Sequence, residues 1–396
     1  MRRALAAPRR RARSSRAGPT AAATSPASAA AVRLGPTTNV TASIEALLPR
    51  RLLHVRDHPL NIVKTTIADA FPGFRLVDDL SPVVTTRQTF DDLLIPADHA
   101  IRKRSDTFYV DEHRVLRPHT SAHQTELLRS GLTEFLVAGD VYRRDEIDAT
   151  HFPAFHQMEG VKVLPPGATR ADAFEDLKRG LDRVCDALFG RGGAQSRRWI
   201  DAYFPFTDPS AELEVRFRDR DVEVLGCGVV HAQIMRAVGM PDRAAWAFGL
   251  GLERLAMVVF DIPDIRLFWT TDPRFSDQFV GGLERFRSGD APKFRPFSKY
   301  PSVTKDVSFW LPPLADSVSR EFSDNDVYSI VRDVAREDVE SVAVLDKFTH
   351  PKTGRESRAY RVVYRSMTRN LTHEEVNAMQ DAVRASLRSA LHAELR

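Results

Sequence analysis

Two short stretches carry side chains able to handle phosphate and an aromatic base. The first is Val141-Tyr142-Arg143-Arg144-Asp145-Glu146, followed after a polar loop by His151-Phe152-Pro153-Ala154-Phe155-His156-Gln157-Met158-Glu159. It reads as a strand, a charged loop and a returning strand. An arginine closing the first strand can reach the phosphates of a nucleotide lying over the sheet, because a planar guanidinium meets phosphate oxygens two at a time. Phe155 offers a flat apolar face to a base. Gln157 and Glu159, two apart on a strand, point to the same face. The second stretch is Trp246-Ala247-Phe248-Gly249-Leu250-Gly251-Leu252-Glu253-Arg254, a glycine-containing turn into a helix. It lacks the third glycine of a dinucleotide fingerprint. Each stretch has a plainer reading as well: a solvated hairpin loop for the first, a tightly packed strand-to-helix turn for the second. Against the plainer reading of the second stands Arg254, at the start of an otherwise apolar helix.

The elements that would position these residues follow from periodicity. Leu60, Ile62, Val63, Ile67, Ala70 and Phe71 space out an amphipathic helix that ends at Pro72-Gly73. Residues 123–131 read as a further helix stopping at Gly131. Strand-like segments cover 134–142, 155–164, 212–217 and 222–226, with a helix over 171–189 and another over 253–260. Several strands follow one another without an intervening helix, so the expected class is α+β, an antiparallel sheet with flanking helices.

Residues 281–300, rich in Gly, Ser, Asp and Pro, read as a linker. Beyond it, 301–396 reads strand, helix, strand, strand, helix, with Thr372-His373-Glu374-Glu375 as a capping box. That order suggests a ferredoxin-like sandwich lacking one edge strand. Lys347, Lys352, Arg355, Arg358, Arg361, Arg365 and Arg369 cluster there with Glu356 opposing them, and Tyr360 and Tyr364 interleave. In isolation this is an ordinary solvated sheet.

Composition bounds the rest. The chain has 396 residues, 43% hydrophobic and 28% charged, enough for two or three cores. No apolar run is long enough to span a bilayer, so no membrane role is expected. Two cysteines, Cys185 and Cys227, exclude a disulfide framework and a thiolate zinc site. A pI near 9.1 suits a polyanionic partner. Residues 1–38 hold many arginines among Ala, Ser, Thr and Pro, and the first acidic residue of the chain is Glu45. That composition is expected of an organellar transit peptide rather than of a basic RNA-binding arm.

The two phosphate-handling stretches resemble motifs 2 and 3 of class II aminoacyl-tRNA synthetases. Within that class the chain is similar to single-chain, mitochondrial-type phenylalanyl-tRNA synthetases, through Phe90–His99, His119-Thr120-Ser121-Ala122-His123-Gln124 and Phe204-Pro205-Phe206. The resemblance runs from about His58 to the C-terminus. It implies a catalytic domain over 39–280 and an anticodon-binding domain over 301–396. It further implies that Arg143 holds the α-phosphate and the amino acid carboxylate, and that Phe155 and Arg254 sandwich adenine. Gln157 and Glu159, with His119 and Ser121, would bind the ammonium group of phenylalanine. Phe204 and Phe206 would present ring edges to its side chain. Ala122, His123, Gln124, Thr150, His151, Phe152, Met158, Glu223 and Phe248 would complete the pocket wall. Beside such a domain, the C-terminal basic residues become candidates for tRNA contact. The implied reaction uses phenylalanine, ATP with Mg²⁺ carried by the nucleotide, and phenylalanine tRNA. The implied setting is a monomer in the mitochondrial matrix or a plastid. No protein ligand for a metal is assigned. A class II ligase for another amino acid would carry a more polar pocket than Phe204 and Phe206 make. A non-catalytic tRNA-binding relative would have lost Arg143 or Arg254.

Overall fold

A computed structural model describes residues 32–190, 194–218, 220–296, 300–312 and 322–396. The basic stretch 1–31 lies outside the described residues. Gly35 and Thr38, at the end of the expected leader, bond to the folded body: the Gly35 N–H donates to Val110 O and the Thr38 hydroxyl to Tyr109 O, both at 2.9 Å.

The helix expected after His58 spans Pro59–Asp69. Pro59 sits in the first turn, where its missing N–H costs nothing, and the His58 side chain accepts from the Leu60 N–H. Its face of Leu60, Ile62, Val63 and Ile67 is fully buried. The long helix Arg170–Phe189 opens with a reciprocal capping box between Thr169 and Asp172. Both pack in the main core against the large sheet.

That sheet has seven strands in the order β1-β4-β5-β9-β8-β7-β6. They are β1 (Arg75–Val77), β4 (Glu134–Tyr142), β5 (Ala154–Val163), β6 (Ala194–Phe204), β7 (Thr207–Phe217), β8 (Arg220–Val230) and β9 (Ala245–Gly251). A two-stranded sheet of β2 (Val83–Thr85) and β3 (Arg114–Leu116) lies apart. All neighbours in the large sheet are antiparallel except β1 with β4. The antiparallel expectation therefore holds for its body, with one parallel edge strand added.

The three-residue strands β1, β2 and β3 are too short for periodicity to find, and two longer strands also escaped it. β6 carries Arg197 and Arg198, ion-paired to Asp182, Asp186 and Glu214, and as the edge strand it needs no apolar stripe. β9 contains the two glycines read as a turn. A Cβ at Gly249 or Gly251 would meet no protein atom within 4 Å. Bare backbone there leaves open space over the sheet. The helix that follows, Leu252–Phe260, starts immediately after the strand.

The segment read as a linker holds a helix at Gly282–Arg287 and packs on the catalytic core through Leu283, Phe286 and Phe294. Beyond it, the four-stranded sheet β11-β12-β10-β13 comprises β10 (Val303–Trp310), β11 (Val339–Thr349), β12 (Glu356–Tyr364) and β13 (Glu394–Leu395). The helices Asp324–Ala335 and His373–Leu391 bury one of its faces around Val327, Val331, Val383 and Leu387. The missing edge strand is the two-residue β13, too short for a sequence signature. The two units dock through buried arginines. Arg144 pairs with Asp326 at 2.9 Å, and Arg266 donates to Val339 O at 2.7 Å.

Candidate active site

Along β5, Phe155, Gln157 and Glu159 face one way while His156 and Met158 turn into the core. The exposed face, the end of β4, the 119–121 segment, the β6–β7 hairpin tip and the start of helix 252–260 enclose one cleft. Of the expected residues, His119, Ser121, Arg143, Thr150, His151, Phe152, Phe155, Gln157, Glu159, Phe204, Phe206, Glu223, Phe248 and Arg254 line it. The remaining four stand behind. Ala122 packs with Val84 and Val115, and Met158 lies in the core. His123 is held by Arg117 at 2.8 Å and Glu126 at 2.6 Å. Since the guanidinium can only donate, Nε2 of His123 accepts and Nδ1 carries the proton toward Glu126. Gln124 is 1% exposed, with both amide atoms lacking partners.

Arg143 directly follows β4 and is fixed by its Nε–H to Pro118 O at 2.8 Å, its guanidinium 5.2 Å from the Phe155 ring centroid. Burial lowers its pKa from the usual arginine value, with the Asp145 charge opposing. Across the cleft, Arg254 pairs with Glu223 at 3.3 Å and keeps more than half its side chain exposed. The two cations thus line the same cleft as Gly249 and Gly251.

A second region of the cleft is polar and unsatisfied. Glu159 is 3% exposed, and neither carboxylate oxygen makes a hydrogen bond. Burial raises its carboxyl to about 7; the Ser121 hydroxyl nearby favours the ionised form without making a well-directed bond. His119 is pushed down to about 3, by burial first and then by Arg143, so the ring is neutral, and its Nδ1 has no partner. The Gln157 amide oxygen accepts from the Thr120 N–H at 3.3 Å. Buried polar atoms without partners are rare in folded proteins, and several gathered at one cleft fit a cationic, hydrogen-bonding ligand group.

Beside them lie two stacked rings. Phe204 and Phe206 sit with centroids 6.0 Å apart and planes 18° apart. A side chain at Gly226 would bring a Cβ to 2.7 Å from the Phe204 ring, so only glycine lets that ring settle here. The subsite has an aromatic wall next to an acid.

Sequence reasoning missed a group on the loop after β4. Glu146, Asp148 and His151 present ligand atoms within 4.8 Å of one another, and Asp148 bonds His151 Nδ1 at 2.8 Å. The one signal in the sequence is spacing, since Glu146, Asp148 and His151 fall within six residues on a polar loop.

In the C-terminal domain the expected cations are not isolated positive charges. Lys347 pairs with Asp324, Arg355 with Glu394, Arg358 with Glu356, Arg361 with Asp306, Arg365 with Glu340 and Arg369 with Glu375, all within 3 Å. Lys352 alone of the set has no ion pair among the described residues. Counting charges along the chain found only Glu356, because the other acids arrive from β10, β11, β13 and the flanking helices. Tyr360 and Tyr364 do not interleave with the cations on a surface. Both are buried on the helix-facing side, bonded to Asp324 and Gln380.

Comparison with known proteins fits this geometry. The profile described as tRNA synthetases class II core domain (F) matches residues 38–279, and that of the ferredoxin-fold anticodon binding domain matches 298–396. The chain is 50% identical over 374 residues to the chloroplastic/mitochondrial phenylalanine–tRNA ligase of Arabidopsis thaliana, covering 91% of this chain and 83% of that one. It is 45% identical over 386 residues to the mitochondrial phenylalanine–tRNA ligase of Mus musculus, covering 87% and 83%. This chain belongs to the phenylalanine–tRNA ligase family of class II tRNA synthetases.

Proposed function

We infer that the chain is a mitochondrial phenylalanine–tRNA ligase. It joins phenylalanine to ATP as the aminoacyl-adenylate and passes it to the 3′-terminal ribose of phenylalanine tRNA. The observation that carries the choice of amino acid is the subsite in which unsatisfied Glu159 stands beside the Phe204–Phe206 pair. An ammonium group supplies the missing donors for that carboxylate, and an aromatic side chain fills the apolar wall.

In the first step the phenylalanine carboxylate attacks the α-phosphorus and pyrophosphate leaves. Arg143 sits where it can meet both carboxylate and α-phosphate, and its tether to Pro118 O keeps it aimed before the substrates arrive. Adenine lies between Phe155 and Arg254. In the second step the terminal 2′-hydroxyl attacks the adenylate carbonyl and AMP leaves. No side chain becomes covalently attached; the acceleration comes from positioning and from fixed positive charge.

The reaction would draw on Mg²⁺ carried by the nucleotide. Glu212 and Glu223 line the cleft and are oxygen donors of the kind that ion prefers. Bound there, it would screen the phosphate charge.

The protein acts as a monomer in mitochondria, and the name of the Arabidopsis relative extends the address to plastids. Among the described residues Val32 and Leu34 already pack on the core and the Arg33 carbonyl accepts from Arg114 at 3.4 Å, so the leader ends ahead of Val32. Amino-acid-dependent pyrophosphate exchange, run with each of the twenty amino acids, tests the function. Phenylalanine should give the dominant signal; a different dominant amino acid, or none, would refute the assignment.

A further inference from the structure

At the inner wall of the nucleotide slot, which Glu253 itself helps line, one buried pair joins β5 to helix 252–260. Glu253 and His156 are each 2% exposed. One Glu253 oxygen accepts the His156 backbone N–H at 2.8 Å, and the other pairs with His156 Nδ1 at 2.7 Å. The His156 ring stacks on Trp269, centroids 5.5 Å apart and planes 24° apart. Trp269 in turn stacks on Phe152, a cleft residue, at 5.6 Å and 29°.

The residues next in sequence are Phe155 and Arg254, the two walls of the slot. Because strand neighbours point to opposite faces, His156 reaches the core while Phe155 faces the cleft. Phe155 is fixed on a central strand, but the other wall is not rigid alone. Arg254 is a long, largely exposed side chain whose ion-pair partner Glu223 is itself half exposed. Its helix begins after Gly251, which provides no side-chain cap, so the first turn lacks the usual anchor. Glu253 supplies one by gripping the neighbouring strand with both oxygens.

We propose that Glu253 and His156 are positioning residues which set the separation of Phe155 and Arg254 and so tune the slot for adenine. The proposal rests on the reading of that slot as the ATP site. A carboxylate matches the two donors it meets. An apolar replacement leaves a buried backbone N–H and an imidazole N–H without acceptors, and the helix start is free to drift from β5. A displacement of about 1 Å can cost on the order of a hundredfold in rate. A partial release of the slot should therefore be visible at about tenfold.

The test is pyrophosphate exchange in the full-length protein with ATP and phenylalanine varied separately. Glu253→Met should raise the KM for ATP about tenfold while the KM for phenylalanine stays within about twofold. Glu253→Gln should recover most of the loss. Its amide oxygen takes the His156 backbone N–H, and its NH₂ can donate to Nδ1 once the imidazole proton moves to Nε2. His156→Leu should fall between, and the double variant should be no worse than Glu253→Met, because both remove one linkage. Melting temperatures are recorded for each; if Glu253→Met fails to fold, Glu253→Gln and His156→Leu carry the comparison. A purely structural role would raise both KM values together with a lowered melting temperature, and that result overturns the proposal. So does an unchanged KM for ATP in the Glu253 and His156 variants when Phe155→Ala raises it. If Phe155→Ala and Arg254→Ala also leave it unchanged, the adenine slot itself is misplaced and the brace falls with it.

Discussion

Replacing Glu159 with glutamine should make the free protein more stable and the enzyme worse. The carboxyl is raised from 4.5 to about 7, chiefly by burial. At about 1.4 kcal/mol for each tenfold change in the proton equilibrium, that rise corresponds to about 3 kcal/mol. The direction follows from which state holds the proton more tightly. Below pH 4.5 both folded and unfolded chains carry it, and Glu159 costs nothing. Between 4.5 and 7 the unfolded chain ionises while the folded chain does not, so the folded state loses ground. Above 7 the whole cost of about 3 kcal/mol is present. Glutamine keeps the shape without the charge, so the variant should gain on wild type by about 2–3 kcal/mol between pH 5 and pH 8. Denaturant unfolding at those two pH values reads this directly. The same group predicts substrate behaviour. An ammonium needs the carboxylate form, so kcat/KM for phenylalanine in wild type should fall as pH drops through about 7, approaching tenfold per pH unit. In Glu159→Gln that fall should vanish and the KM for phenylalanine should be high throughout. Equal stability differences at pH 5 and pH 8, or an unaltered KM for phenylalanine, would refute the claim that Glu159 is a buried acid awaiting the substrate's charge.

Arg143→Ala and Arg254→Ala should each lower phenylalanine-dependent pyrophosphate exchange about a hundredfold or more, with circular dichroism unchanged; a fully active Arg143→Ala enzyme would remove the phosphate-handling step proposed for it. Tyrosine should be charged at a measurable rate, discriminated by about a hundredfold, since an apolar pocket rejects an added hydroxyl only weakly. Tyrosine preloaded on the tRNA should persist, and enzyme-stimulated release would contradict this. Ending the chain after residue 296 should spare amino acid activation and abolish most tRNA charging. It should also lower the melting temperature, because Arg144 and Arg266 lose partners across the domain contact; unchanged charging would free the C-terminal domain of any role in tRNA binding.

The sequence by itself determined which candidate side chains share a strand face and where the flanking helices lie. Phe155, Gln157 and Glu159 were legible because a strand's two-residue period fixes which residues share a face whatever the strand packs against, and Arg143 because a guanidinium closing a strand suits phosphate. The helices after His58 and Thr169 were legible from local caps and apolar spacing, which are short-range properties. Tertiary structure decided what no local pattern encodes. Gly249 and Gly251 look like a turn in sequence, yet pairing of β9 with β5 and β8 holds them extended as the floor of the cleft. The C-terminal arginines look like a free basic strip, yet Asp306, Glu340 and Glu394 are brought beside them from segments tens of residues away. The acidity of Glu159 belongs to the same category. Its type and face were readable, but only the packed surroundings withhold water and partners from it, and burial is a property of the whole fold.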